Sequence, residues 1–263
     1  MGYPEPLNPN LRRLNPGVFL ASTAFSIRDT LHLGNRMAVM NIPDSKKLIV
    51  WSALSMCDAV ENALNEAANG KLEEHEVTAA IVPNREHSMA AMSMKERFPN
   101  LMLIGPPNIK NSKPVLLDYE FKWEDGDRIM NGTELNPALK GYDFLFLKGH
   151  KNNEIVVLDK ANKTLFVSDL IMNIPFNGKN QDQYPGIEQN KGLAGYLTQR
   201  LNSDSWFGRY IFSNRLFPYT PENSAALKTL MTMDFDTIVL SHGNVIEKDA
   251  KEHIKKVYAQ HLK

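Results

Sequence analysis

Apolar residues fall along this chain in two periods. Leu48-Ile49-Val50-Trp51, within Lys47 to Ser52, and Val77–Val82, with Thr78 its one polar residue, are apolar runs of strand length, the pattern of strands covered on both faces. Between them Val60, Ala63, Leu64 and Ala67 recur at helical spacing over Cys57 to Ala68, and Gly70 suits the helix C-terminus. A second helix is expected from Ser88 to Phe98, with Ser88 or Asn84 as candidate N-cap and Pro99 as its stop. Leu101 to Ile104 adds another strand, broken by Pro106-Pro107. The span from Lys47 to Ile104 therefore alternates strand and helix, a layered α/β arrangement. Gly17 to Ile27 and Arg36 to Ile42 read as strands ahead of it, and residues 1–16, rich in Pro and Asn, read as an extended arm.

The second half opens with Phe121-Lys122-Trp123 and Asp143 to Lys148 as strands. A β-hairpin is then expected. The apolar residues of Lys148 to Leu158 and those of Thr164 to Leu170 flank the turn-like Asp159-Lys160-Ala161-Asn162-Lys163. Asn173 to Pro185 reads as a polar loop and Gly186 to Leu201 as a helix. The aromatic-rich stretch Trp206 to Tyr219 has no clear period. Pro221 to Met233 predicts a helix with Thr220 at the N-cap and Pro221 at its first position. A buried strand, Asp236 to Leu240, runs into the tight loop Ser241-His242-Gly243-Asn244, and an amphipathic helix from Asp249 to Gln260 closes the chain. Two sheets between helices, with histidine-bearing loops at one edge, accommodate this order.

Composition narrows the function classes. A chain of 263 residues with 43% apolar content suits one large domain with a sizeable core. Its 30 basic and 30 acidic side chains cancel, so no global field attracts nucleic acid or an anionic membrane. No apolar run reaches the ~20 residues of a membrane span, and the first residues lack a signal-peptide layout. Cys57 is the single cysteine; an internal disulfide is excluded and a reducing, cytoplasmic setting is expected. A thiol in the core is the expectation for Cys57, ahead of a nucleophile. The twelve methionines are expected as core filler.

The hairpin also carries candidate chemistry. The start of one antiparallel strand and the end of the next lie at the same edge, so His150 and Asp169 face one site. Imidazole and carboxylate are both ligands for zinc-like metals. The alternative for the pair is a surface His and a strand-ending Asp.

With Gly149-His150, Leu165-Phe166-Val167-Ser168-Asp169-Leu170 and Ile238-Val239-Leu240-Ser241-His242-Gly243 in order, the chain resembles the metallo-β-lactamase superfamily. These segments match its Gly-His, its strand ending in Ser-Asp or Gly-Asp, and its final Gly-His-Gly-like loop, from about residue 17 to the C-terminus. The resemblance implies a four-layer αββα sandwich formed by a single domain over 1–263, with a helical, aromatic insertion at about 176–222. The departure lies in the His-x-His-x-Asp-His motif. Pro83-Asn84-Arg85-Glu86-His87-Ser88 stands there, putting Val82 at the first His, Asn84 at the second, Glu86 at the Asp and His87 at the last His. Val50-Trp51-Ser52 also lacks the early Asp. Among divergent members of the superfamily, the chain is similar to a branch with a Pro-Asn-x-x-His turn.

The resemblance implies a reduced metal site for one divalent ion, most naturally zinc, held by His87, Asp169 and His242 with Glu86 as a possible fourth ligand. His150 would be a further ligand or an acid/base beside the metal, and Asn84 a hydrogen-bonding group for substrate or an oxyanion. The implied reaction is hydrolysis of an ester, lactone or thioester bond in a small molecule, with Asp169, His150 and Asn84 as the catalytic set. The alternative is a catalytically inactive member acting as a ligand-binding or interaction module. Single-residue alternatives stand beside these roles: His87 as a helix cap, and Glu86, Arg85 and Lys151 as solvated charges. His32, His75, His253 and His261 are expected as surface or capping residues. The cluster of Trp206, Phe207, Tyr210, Phe212, Phe217 and Tyr219 is expected as core or as a homodimer contact, in the insertion where the superfamily builds its substrate pocket. Neutral charge argues against nucleic-acid processing.

Overall fold

The apolar runs become the central strands of two sheets. The computed structural model describes residues 2–28, 30–111, 114–176, 180, 182–184 and 192–263. In chain order the first half holds β1 (Asn10–Asn15), β2 (Val18–Thr23), the short hairpin β3 (Ser26–Ile27) and β4 (Leu31–His32), β5 (Asn35–Asn41) and β6 (Lys47–Trp51). Helix α1 (Asp58–Ala67), β7 (Glu76–Ile81), α2 (Ala91–Arg97), β8 (Met102–Gly105) and β9 (Tyr119–Glu120) complete it. The second half holds β10 (Ile129–Asn131), β11 (Tyr142–Leu147), β12 (Glu154–Asp159) and β13 (Thr164–Val167). Then come α3 (Gly192–Thr198), α4 (Trp206–Tyr210), α5 (Pro221–Thr232), β14 (Thr237–Leu240) and α6 (Ala250–Val257).

One sheet runs β1-β2-β5-β6-β7-β8-β9 and the other β10-β11-β12-β13-β14. Strands β6 to β9 are parallel, with α1 and α2 in the crossovers. β14 pairs in parallel with β13, Val167 opposite Leu240. That register ends the two strands side by side, so Asp169 and His242, each two residues past its strand, emerge at the same edge.

Alternation within each strand divides the apolar residues into three layers. Trp51, Ile49, Phe144, Phe146, Val157 and Phe166 fill the space between the sheets, and the Trp51 and Phe166 ring centroids are 5.7 Å apart. Val50, Leu48 and Leu103 face outward under Val60, Ala63 and Leu64 of α1 and Met94 of α2. Leu165, Val167 and Leu240 face outward under Leu227 of α5 and Ile254 of α6. Helix, sheet, sheet and helix are the four layers. Phe166→Ala should cost about 3–5 kcal/mol, because neighbours on both sheets cannot all close the gap. Urea unfolding measures it; a loss under about 1 kcal/mol would contradict the jigsaw core between the sheets.

Several local expectations change. Residues 10–15 of the expected arm form edge strand β1, paired with β2. Phe121 to Trp123 is not a strand. β9 ends at Glu120, Phe121 drops into the inter-sheet core, and Trp123 starts a 3₁₀ turn, Trp123–Asp125. Neither Ser88 nor Asn84 caps α2. Its N-cap is Ala90; the Ser88 hydroxyl donates to the Lys110 carbonyl and Asn84 serves the loop ahead of it. Cys57 is exposed, not in the core, because it is the N-cap of α1 and lies outside the stripe of Val60, Ala63, Leu64 and Ala67. His261 is buried, its ring stacked on Phe217 with centroids 5.9 Å apart.

The aromatic stretch is α4 followed by a π-helical turn, Ile211–Leu216. Phe212 and Phe217 enter the core while Trp206, Tyr210 and Tyr219 remain exposed. Of the helix expected from Gly186, residues 186–191 lie outside the described residues, as do 177–179, 181 and 185 of the polar loop before it. Among the described residues, no helix is long and apolar enough to cross a membrane.

Candidate metal centre

Three loops converge at the edge where β13 and β14 end. The loop after β7 brings His87, the residues after β13 bring Asp169, and the loop after β14 brings His242. The Nε2 atoms of His87 and His242 are 3.3 Å apart. Asp169 Oδ1 lies 3.6 Å from His87 Nε2 and 3.4 Å from His242 Nε2. Ligands about 2.0–2.1 Å from a tetrahedral ion stand about 3.3 Å from one another. These three atoms therefore already have the spacing of one triangular face around a zinc-sized ion.

Each group is fixed from behind. His242 Nδ1 is 2.7 Å from the Gly34 carbonyl, which only accepts, so Nδ1 carries a proton and Nε2 is the nitrogen turned to the cluster, where it would offer its lone pair to an ion in the neutral ring. The loop carrying His242 is held by two side chains. Gln183 donates to the Ser241 carbonyl and accepts from the Gly243 amide. Arg36, with no exposed surface, donates to the carbonyls of Leu240 and Gly243, to the Ser22 hydroxyl and to Asp182. Burial pulls the Arg36 guanidinium down to about 10, partly offset by Asp182, so it stays charged at neutral pH. Gly243 has φ +87°, and a Cβ there would collide with the Asn173 carbonyl, so the turn requires glycine.

Asp169 is oriented through its other oxygen. Oδ2 accepts from Asn84 Nδ2 and Asn152 Nδ2, both at 2.8 Å, leaving Oδ1 to the histidines. Glu154, wholly buried at the start of β12, accepts the backbone N–H groups of Ser168, Asp169 and Leu170 and the Asn84 amide. Burial, then the nearby Asp169 charge, pushes the Glu154 carboxyl up to about 7 against those donors. Burial alone would raise Asp169, but the His87 charge and the bonds to both histidines hold it well below the usual carboxylate range. Burial disfavours protonated His87, yet the Asp169 charge and hydrogen bond outweigh it and raise the imidazole above its ordinary value. His87 is the most open of the three, with 12% of its side chain exposed.

The other residues singled out from sequence sit differently. The Glu86 carboxylate turns to the rim, accepting from Lys110 Nζ at 2.9 Å with Arg85 Nε at 3.7 Å, and takes no place in the cluster. His150 is buried beside the cluster rather than in it. Its Nδ1 accepts from the Asn152 amide at 3.2 Å, its Nε2 has no hydrogen-bond partner, and its ring packs on Phe217. Burial drives the His150 imidazole down to about 4, so it is neutral. Asn84 has no free capacity for substrate: both amide hydrogens go to Glu154 and Asp169, and its oxygen accepts from the Glu86 and His87 amides.

Sequence reasoning missed Glu154, Arg36, Asn152 and Gln183. Glu154 and Arg36 did leave a signal, each being a charge set against a strongly apolar strand segment, Ile155–Leu158 and Met37–Met40. A cavity of about 390 Å³ opens over the cluster, with Tyr3, Phe25, Leu33, Met172 and Leu216 among its walls.

No protein-family model and no curated protein matches this sequence. Solved structures do. A metallo-β-lactamase from Hirschia baltica is 12% identical with a TM-score of 0.59, covering 95% of this chain and 96% of that one. The DIM-1 metallo-β-lactamase exposed to ceftazidime is 11% identical with a TM-score of 0.60, covering 99% and 98%. The FIM-1 metallo-β-lactamase from Pseudomonas aeruginosa, in its mono-zinc form, is 12% identical with a TM-score of 0.57, covering 98% and 96%. Over nearly its whole length, then, with three ligand-type side chains gathered at the shared edge of its sheets, this chain has the metallo-β-lactamase fold.

Proposed function

We propose that His87, Asp169 and His242 hold a single divalent ion, zinc by preference, and that the protein hydrolyses ester, lactone or thioester bonds of a small molecule. The observation that carries this reading is the 3.3–3.6 Å triangle of Nε2, Nε2 and Oδ1 at the base of an open cavity. Held by His87, Asp169 and His242, a divalent ion would supply the Lewis acidity that polarises a carbonyl and acidifies water at neutral pH. The chain's own part is orientation. Gly34 sets the His242 tautomer, Asn84 and Asn152 turn Asp169 toward the histidines, and the cavity walls limit water around the reacting carbonyl.

One ion is the stoichiometry this residue set favours. Val82 offers no donor, Asn84 is bonded to two carboxylates, and neutral His150 stands alone on that side. Elemental mass spectrometry after dialysis against zinc should find about one equivalent per chain. Less than about a tenth of an equivalent, with no gain on adding zinc, cobalt or manganese, would remove the hydrolase reading.

A ligand-binding module without catalysis is the second reading. The buried bridge from Asn84 to Glu154 and Asp169 favours it, because it replaces ligand positions with an internal hydrogen-bond network. Absence of metal, together with small-molecule binding in the cavity, is the result that would select it.

A further inference from the structure

The mouth of the cavity carries a charge excess that the whole chain lacks. Arg85, Lys110 and Lys151 line the cavity with two carboxylates, Glu86 at the rim and Asp169 in the cluster beneath, in a chain whose 30 basic and 30 acidic residues cancel. Glu86 is engaged by Lys110 and faced by Arg85. Lys151 is exposed and has no acidic partner among the described residues, and Arg85 Nε is buried without a hydrogen bond.

The three cations come from separate segments, yet the backbone laces them into one ridge. The Lys110 amide donates to the Arg85 carbonyl, the Arg85 amide to the Asn152 carbonyl, and the Lys151 amide to the Leu216 carbonyl, at 2.9, 3.0 and 2.8 Å. The last bond ties the ridge to the apolar wall, where Leu216 joins Phe25 and Ile27. A cationic edge carried on anchored backbone therefore borders an apolar wall within one cavity.

We infer that this ridge receives the anionic end, a carboxylate or phosphate, of a ligand whose apolar body lies against Phe25, Ile27 and Leu216. The inference rests on the reading of this cavity as the substrate site, and it names the substrate class: an acyl compound with an apolar chain and a remote negative charge. Arg85 supplies a planar donor fork and Lys151 a point charge, so carboxylate and phosphate are both within the ridge's chemistry.

Calorimetric titration of the metal-free protein with hexanoate, hexyl phosphate and neutral hexanamide tests this without any turnover. At low salt at least one anion should bind about tenfold tighter than hexanamide, a margin that shrinks as screening rises. The tighter anion identifies the headgroup. Lys151→Ala combined with Arg85→Gln should abolish the preference at an unchanged melting temperature, since both keep the main-chain bonds of the ridge. Equal binding of hexanamide, a preference retained in the double variant, or no binding of either anion would each overturn the inference. An anion preference in a protein that takes up no metal would uphold the ridge and remove the hydrolase reading. Hydrolysis with metal but no anion preference would do the reverse.

Discussion

Asp169→Asn should empty the metal site while leaving the fold intact. Asn84 and Asn152 both donate to Oδ2, so the new amide must turn its oxygen to them and its NH₂ toward His87 and His242. That amide nitrogen has no lone pair to offer, and its hydrogens occupy the ion's place. Loss of the ligand should weaken zinc binding by at least about a hundredfold, or about 2.7 kcal/mol, with a matching loss of any zinc-dependent ester hydrolysis. Competitive zinc titration measures it, and far-UV circular dichroism of the metal-free protein checks the fold. Wild-type zinc affinity in this variant would place the ion elsewhere or nowhere.

Arg36→Ala should be the most destabilising single change near the site. The guanidinium sits in the dry interior with all its partners named: two carbonyls, a hydroxyl and Asp182. Truncation strands the Leu240 and Gly243 carbonyls without donors, leaves a void, and frees the loop that aims His242. Breaking such a buried network costs about 3–5 kcal/mol. Arg36→Lys retains the charge but not the fork that reaches separate acceptors, so it should recover only part of the loss. Urea unfolding of the metal-free proteins ranks the three, and zinc titration shows whether the His242 loop loosens with them. An Arg36→Ala protein as stable as wild type would mean that other donors take over the two carbonyls.

The layered fold was legible because β6, β7, β12 and β13 are buried on both faces and so appear as apolar runs. β1 was not: an edge strand reading Asn-Leu-Arg-Arg-Leu-Asn packs little and looks like a polar lead-in. Asp169 and His242 were legible through the order of their motifs, and the register of β13 with β14 is why residues 73 positions apart meet, whereas the hairpin argument that paired Asp169 with His150 left His150 beside the cluster. The supports behind them were not, since their partners are remote in sequence. Arg36 meets Leu240 across 204 positions and Asn84 meets Asp169 across 85. Glu154 marks the limit most clearly. A single acid before an apolar run looks like a strand boundary, and only the folded chain reveals that it accepts the backbone N–H groups beneath Asp169.

His87 belongs to the first sheet's loops, whereas Asp169 and His242 belong to the second's. An ion bound by all three would act as a clasp between the halves of the molecule, drawing its strength from their alignment. Loosening the interface at Phe166, which touches no ligand, would then weaken zinc binding, and zinc would in turn raise the resistance of that interface to unfolding.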